Sequence, residues 1–250
     1  MNDKLISVIT PTYNCGRFIS QTIESVLSQT YKNWEMIIVD DHSSDNTREI
    51  LKAYMHDNQR IKYYILEENQ GAAVARTIAM SYAKGSYFAF LDSDDIWLPE
   101  KLEKQLSFME ENGYAFTCTS YELIDENGRL LGKVRKAKKK TDYNKMLLDC
   151  PVGNSTVMYS VEKMGRFKVP NIRKRNDDAL WLQMLKKERY IWGMPLVLSL
   201  YRIRKNSISR NKIKLIRYHW YLYRKIEKLN LWQSSYHIIW WCLLKIFGIR

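Results

Sequence analysis

Three apolar runs in the first hundred residues each break off into a polar cluster, and stretches of helical periodicity separate them. Leu5-Ile6-Ser7-Val8-Ile9-Thr10 stops at Pro11-Thr12-Tyr13-Asn14, and Met36-Ile37-Ile38-Val39 stops at Asp40-Asp41-His42-Ser43-Ser44-Asp45. Tyr87-Phe88-Ala89-Phe90-Leu91 stops at Asp92-Ser93-Asp94-Asp95. Between the first two runs, Ile19, Ile23, Val26 and Leu27 recur at helical spacing. After the second, Ser44 or Asp45 can cap a helix through Ile50, Leu51 and Tyr54. Residues 61–65 read as a further strand and 72–83 as a further helix. Strands alternating with helices of this length imply right-handed β-α-β units, hence an α/β fold with a mainly parallel sheet flanked by helices. Ligands of such sheets bind at the carboxyl ends of the strands, where all three polar clusters fall.

The last cluster carries the most chemistry. Carboxylates gathered at a strand end suit a hard divalent cation that prefers oxygen ligands and bridges to a diphosphate. With thirteen Asp in the chain, a D-x-D spacing arises by chance on the order of once. Its place beside two other polar strand ends gives it weight.

An apolar share of 46% over 250 residues is ample for a core, so disorder is excluded as the default. The net charge of +13 is unevenly placed, because residues 201–250 hold twelve Lys or Arg against Glu227 alone. A nearly neutral body with a basic tail argues against a nucleic-acid-binding protein and for attraction of the tail to an anionic surface. Trp220, Tyr221, Tyr223, Trp232, Tyr236, Trp240, Trp241 and Phe247 are interleaved with those cations, while the longest apolar stretch, 238–244, is too short to span a bilayer. The segment fits lying in the interface of an anionic membrane, or a helical pair packed on the domain. Cys15, Cys118, Cys150 and Cys242 show neither zinc spacing nor a disulfide framework. The first residues do not form a signal peptide, so the expected location is cytoplasmic.

Past Pro99 the pattern gives a helix over 102–109, a strand over 114–121, a turn at Asp125-Glu126-Asn127-Gly128 and a solvated basic loop over 133–140. Residues 154–159 read as a strand. Asp177-Asp178 open a helix, where carboxylates suit the positive helix end.

Taken together, Ser7-Val8-Ile9-Thr10-Pro11-Thr12-Tyr13-Asn14, Ile38-Val39-Asp40-Asp41-His42-Ser43-Ser44-Asp45, Asn69-Gln70-Gly71-Ala72-Ala73-Val74-Ala75-Arg76, Phe90-Leu91-Asp92-Ser93-Asp94-Asp95-Ile96-Trp97 and Arg175-Asn176-Asp177-Asp178-Ala179-Leu180-Trp181 resemble the family 2 glycosyltransferases of GT-A fold, especially bacterial surface-polysaccharide enzymes. The resemblance covers roughly residues 4–205. It implies a GT-A, Rossmann-like domain over 1–205, with a nucleotide-sugar half (1–100) and an acceptor half (101–205), and leaves 206–250 as an amphipathic helical tail.

By that resemblance Pro11, Thr12 and Tyr13 form the loop under base and ribose, Asp41 or Asp40 accepts a hydrogen bond from the base, and Arg76 meets base or diphosphate. Asp94 is the principal metal ligand, Asp92 contacts ribose or metal, Ser93 belongs to the nucleotide-sugar site, and Asp95 is a third candidate ligand. Asp177, with Asp178 as alternative, takes the place of the catalytic base. Relatives often carry Glu-Asp where this chain has Asn176-Asp177. Trp97, Asn154 and Ser155 are candidates for the acceptor side. The implied reaction is transfer with inversion of a hexosyl group from a nucleotide-sugar, with UDP favoured, to a hydroxyl of a glycan acceptor on polyprenyl diphosphate. Mn²⁺ or Mg²⁺ assists, at the inner face of the cell membrane. A sugar nucleotidyltransferase is the rival enzyme, but no G-x-x-x-x-G-K-[ST], G-x-G-x-x-G or basic glycine-rich phosphate signature follows the first strand. A non-catalytic nucleotide- or nucleic-acid-binding protein is the other.

Overall fold

A computed structural model describes residues 4–204 and 212–246. Its first half is built on a period of two. Strands β1 (Ile6–Thr12), β2 (Trp34–Asp40), β3 (Ile61–Ile65) and β4 (Tyr87–Phe90) run parallel in the spatial order β3-β2-β1-β4. They are joined by α1 (Ile19–Leu27), α2 (Thr47–Asp57) and α3 (Ala72–Tyr82). The pleat sends Ile6, Val8, Met36, Ile38, Tyr87 and Ala89 to one face and Ile9, Ile37, Val39, Phe88 and Phe90 to the other. Both faces are buried under helices, which is why these strands read as unbroken apolar runs.

The chain then turns back through β5 (Ile96–Trp97), α4 (Lys101–Asn112), β6 (Phe116–Ile124), β7 (Leu130–Arg135), β8 (Lys140–Thr141) and α5 (Tyr143–Asp149). It continues through β9 (Met158–Ser160), α6 (Val161–Met164), α7 (Asn176–Leu185) and β10 (Ile191–Arg202). The sheet extends as β4-β9-β6-β10-β5, with β9 antiparallel to β4 and β6, and β10 parallel to β6. The parallel character foreseen from the sequence thus belongs to the first half, and antiparallel pairing enters with β9, inserted between β4 and β6, and with the β6–β7 hairpin.

Two local expectations change. Residues 154–159 open with a 3₁₀ turn, Asn154–Thr156, before β9. Part of the basic loop is the hairpin strand β7, which pairs with β6 and is exposed along its length. In β10 the register slips between Met194 and Val197, around Pro195, which has no N–H for the ladder.

Helices α8 (Lys212–Tyr221) and α9 (Leu231–Ile246) flank a π-helical stretch, Leu222–Ile226. They pack on the body: Tyr223 Oη donates to the Leu147 carbonyl at 2.8 Å, and the Glu227 carboxylate takes Tyr143 Oη at 2.5 Å and Lys186 Nζ at 2.7 Å. Leu222, Tyr223 and Trp241 are buried there, while Trp232, Tyr236 and Ile239 face outward, Trp232 at 86% exposure. The expected tail boundary at 206 and Phe247 lie outside the described residues. No described helix is long and apolar enough to cross a membrane.

Candidate active site

Aromatic packing sets the site's frame. Trp181 of α7 meets Phe90 of β4 edge to face at 4.9 Å and lies 5.7 Å from Phe116. Phe90 stands two residues before Asp92, and Trp181 one helical turn after Asp177. This contact therefore fixes the start of α7 over the turn that follows β4.

The three carboxylates of that turn point in different ways. Asp92 accepts from Arg76 Nη2 at 3.1 Å and from Asn154 Nδ2 at 2.7 Å, and about a third of its side chain, 32%, stays accessible. Burial pushes its carboxyl up to about 6; Arg76 pulls it down, and the charges of Asp94 and Asp177 push it up. Asp94 is half-buried, with Oδ2 at 3.2 Å from Arg204 Nη1. Asp95 is 1% exposed and turns inward to Ser155 Oγ at 2.5 Å and the Arg202 backbone N–H at 2.9 Å. Burial, with Asp94 and Asp92 beside it, raises the Asp95 carboxyl well above its ordinary range.

The burial of Asp95 corrects its reading as a third metal ligand: both oxygens are engaged in the core. Trp97 is corrected likewise, because its ring is 1% exposed, donates Nε1–H to the Ser155 carbonyl at 2.7 Å and carries Lys101 Nζ 3.7 Å from its centroid. Ser155, 3% exposed, is also a bracing residue and not an acceptor-lining one, holding Asp95 and accepting from the Asp92 N–H at 3.0 Å. Asn154 is buried but leaves Oδ1 without a partner beside Asp92.

Arg76 is almost fully buried and acts as a tie: one terminal nitrogen holds Asp92 and the other donates to Asn176 Oδ1. Asn176 joins α3 to α7 through this bond. The adjacent pair at the start of α7 divides plainly. Asp178 is buried, paired with Arg175 at 3.1 Å and bonded by the Cys150 thiol. Asp177 is half-buried, and its charge reaches Asp92.

At the other strand ends, Pro11 and Thr12 are buried and Tyr13 is 47% exposed. Thr12 Oγ1 has no partner. Asn14, with φ of 47°, accepts from the Ser44 N–H at 2.8 Å, which staples the first polar end to the second. Asp40 is saturated by Ser43 and by Arg48 Nε at 3.1 Å. Each oxygen of Asp41 takes one backbone N–H, from Gln70 at 2.7 Å and Gly71 at 2.8 Å, and retains a lone pair for a further donor. Gly71 makes that approach at φ of 93°, where a side chain is strained. Burial is the main cause raising the Asp41 carboxyl above its usual range, against the pull of those two N–H groups.

Sequence reasoning missed Arg202 and Arg204, which it counted with the basic tail. Arg202 Nε donates to the Asp94 carbonyl at 2.7 Å, and Arg204 holds the Asp94 carboxylate. Cys15 lies between them and Ser93, whose Oγ is 3.1 Å from its sulfur; burial pushes this thiol up to about 11, so it stays protonated. No pattern short of the fold would have brought the end of β10 to the turn after β4.

The edge therefore presents three half-buried carboxylates, Asp92 held by Arg76, Asp94 held by Arg204, and Asp177, all hard oxygen donors. Among the described residues no three His, Cys, Asp or Glu side chains converge as a ready ligand set. A cation here would be held by Asp94 with Asp92, leaving positions for oxygens from outside the protein, which fits Mg²⁺ or Mn²⁺.

The model of Glycosyl transferase family 2 matches residues 7–171, well over half of the chain. The protein is a family 2 glycosyltransferase. It is 46% identical over 241 residues to TuaG of Bacillus subtilis, named as a teichuronic acid biosynthesis glycosyltransferase, covering 96% of this chain and 94% of that one. It is 42% identical over 221 residues to WfgD of Escherichia coli, a UDP-Glc:alpha-D-GlcNAc-diphosphoundecaprenol beta-1,3-glucosyltransferase, covering 88% of this chain and 85% of that one. Among solved structures, S. aureus TarS 1-349 in complex with UDP-GlcNAc superposes with a TM-score of 0.72 at 19% identity, covering 95% of this chain and 71% of that one. That likeness places the transferase among the GT-A folds.

Proposed function

We propose that this family 2 transferase moves a hexosyl group, with inversion, from a UDP-sugar to a hydroxyl of a polyprenyl-diphosphate-linked glycan during bacterial surface polysaccharide synthesis. The relatives' names support the substrate classes, since WfgD takes a UDP-sugar and a diphosphoundecaprenol-linked acceptor. The observation that carries the mechanism is the division at the start of α7, where Asp178 is bound inward and Asp177 is the carboxylate left to face Asp92.

In this reading Pro11, Thr12 and Tyr13 bed the base and ribose, and Asp41 rather than saturated Asp40 accepts the base N–H. Asp92 and Ser93 line the donor. Arg76 works through Asp92, holding its carboxylate in place. Asp177 takes the proton of the attacking hydroxyl, a contribution of roughly 10² to 10⁴ in rate. It does so from the side opposite the leaving diphosphate, which is why base and donor-binding acids sit on separate segments. A divalent cation on Asp94 and Asp92, when bound, supplies positive charge to the departing diphosphate. Asn154 supports the site from behind, donating its Nδ2–H to Asp92.

The body over 1–205 carries the chemistry in this account, and the helices beyond it face the membrane. Trp232, Tyr236 and Ile239 form an exposed apolar stripe on α9, the kind of face that enters a lipid interface and holds a protein peripherally at the inner leaflet.

A thermal-shift panel of UDP, UDP-sugars and other nucleotides, with Mn²⁺, Mg²⁺ or chelator, tests the donor assignment. Stabilisation by uridine nucleotides that needs the cation and is lost in Asp94→Asn is expected. Equal stabilisation in chelator and in the variant would remove Asp94 from the donor site.

A further inference from the structure

The strongest feature outside the carboxylate edge is a groove between the loop before α7 and the outer side of α8. It is a cavity of about 440 Å³ lined by Asn171, Ile172, Arg173, Arg217, Tyr218, Trp220, Tyr221, Arg224 and Lys225. Four of these are cations and three are aromatic, and no Asp or Glu is among its described lining residues. Arg173, Arg217 and Lys225 are exposed. Arg224 also donates to the Leu229 carbonyl, and the three exposed cations in a lining without an acid make a surface of positive potential that favours an anion. The volume falls within the range of small-ligand sites, roughly 300 to 1,000 Å³.

Two neighbours of the groove narrow the anion's identity. On one side lies the carboxylate edge: Arg173 stands four residues before Asp177, a span of at most about 14 Å even for extended chain. Its charge also reaches Asp41. Within the lining Trp220 and Tyr221 are exposed, and α9, which packs against α8, carries the exposed Trp232, Tyr236 and Ile239 stripe. An anion seated here has Asp177 only four residues along the chain from Arg173, and the exposed rings of Trp220 and Tyr221 beside it. Such neighbours suit an acceptor whose sugar is joined through a diphosphate to a lipid.

We infer that this groove is the subsite for the diphosphate of the lipid-linked acceptor, distinct from the donor diphosphate site at Asp92 and Asp94. This rests on the transferase reading above. Arg173, Arg217, Arg224 and Lys225 bind the phosphate oxygens, Tyr218 and Trp220 flank the first isoprene units, and the acceptor sugar extends past Arg173 toward Asp177.

The test measures binding of the full chain to phosphatidylcholine vesicles carrying undecaprenyl diphosphate, against vesicles of equal charge carrying phosphatidylglycerol, and against plain phosphatidylcholine. It uses wild type and Arg217→Gln/Lys225→Gln, with UDP binding measured in parallel. The expected result is at least a tenfold preference of wild type for the diphosphate vesicles over the charge-matched ones, suppressed by millimolar pyrophosphate and lost in the double variant, which still binds UDP. Equal binding to both anionic vesicles would reduce the groove to a general membrane-charge contact and overturn the subsite. A preference that survives in the double variant would place the diphosphate elsewhere and also overturn it. UDP binding keeps the two readings apart: its loss in wild type strikes the donor assignment, whereas failure of the vesicle preference with UDP binding intact strikes the groove alone. A single Arg217→Gln variant guards against misfolding and is expected to lose part of the preference.

Discussion

The half of this transferase built on β1 to β4 and the half that follows it differ in how their polar groups are held. Around β1, β2 and β4 each polar strand end is tied to backbone or to a buried partner: Asp41 to the Gln70 and Gly71 N–H groups, Asp92 to Arg76 and Asn154. Beyond β4, β7 lies exposed along its length, β10 slips register at Pro195, and the groove by α8 gathers cations without an acid. On the proposed reading the first half binds the donor, and its preorganisation suits a nucleotide-sugar, which presents one fixed chemistry. The other half leaves surface open where acceptors differ, as expected when binding residues sit on segments carried by a rigid scaffold.

The contrast can be broken at its joint. Trp181→Ala removes the aromatic contact between α7 and β4 and is expected to cost about 3 to 5 kcal/mol, read by denaturant unfolding. A loss below 1 kcal/mol would mean that α7 is positioned by something other than Phe90 and Phe116. Arg76→Ala removes a buried cation and leaves the half-buried Asp92 beside the charges of Asp94 and Asp177 without it. A destabilisation of about 2 to 4 kcal/mol is expected, with donor affinity falling in step. Unchanged stability would put Arg76 at the pocket surface and not behind it. On the open side, Leu131→Lys in β7 is expected to stay within about 0.5 kcal/mol of wild type, because Leu131 is 41% exposed. A larger loss would show β7 covering apolar surface that the contrast treats as free.

How much of this was legible in the sequence follows the same divide. Strand and helix alternation through β4 was readable because strands buried on both faces leave unbroken apolar runs between helical spacings. The carboxylate turn was readable because it follows such a run. The inward turn of Asp95 and Trp97 was not, since both depend on Ser155 and β10 arriving from more than forty residues away. Arg202 and Arg204 were lost in the tail's charge count, because a composition window cannot tell a strand end from the helix that follows. The choice between Asp177 and Asp178 was open on sequence grounds, and only the positions of Arg175 and Cys150 separate them. Similarly, the basic composition of the tail was visible in the sequence, but the groove needed Arg173 from the body.

The most direct test of the account is the turnover of Asp177→Asn and Asp178→Asn, each measured beside its affinity for UDP. The account predicts that Asp177→Asn loses roughly 10² to 10⁴ in kcat while binding UDP as wild type does. It predicts that Asp178→Asn, which removes a buried carboxylate from the partly buried Arg175, loses stability first and rate only secondarily. Near-normal turnover in Asp177→Asn, with the large rate loss falling on a stably folded Asp178→Asn, would contradict it.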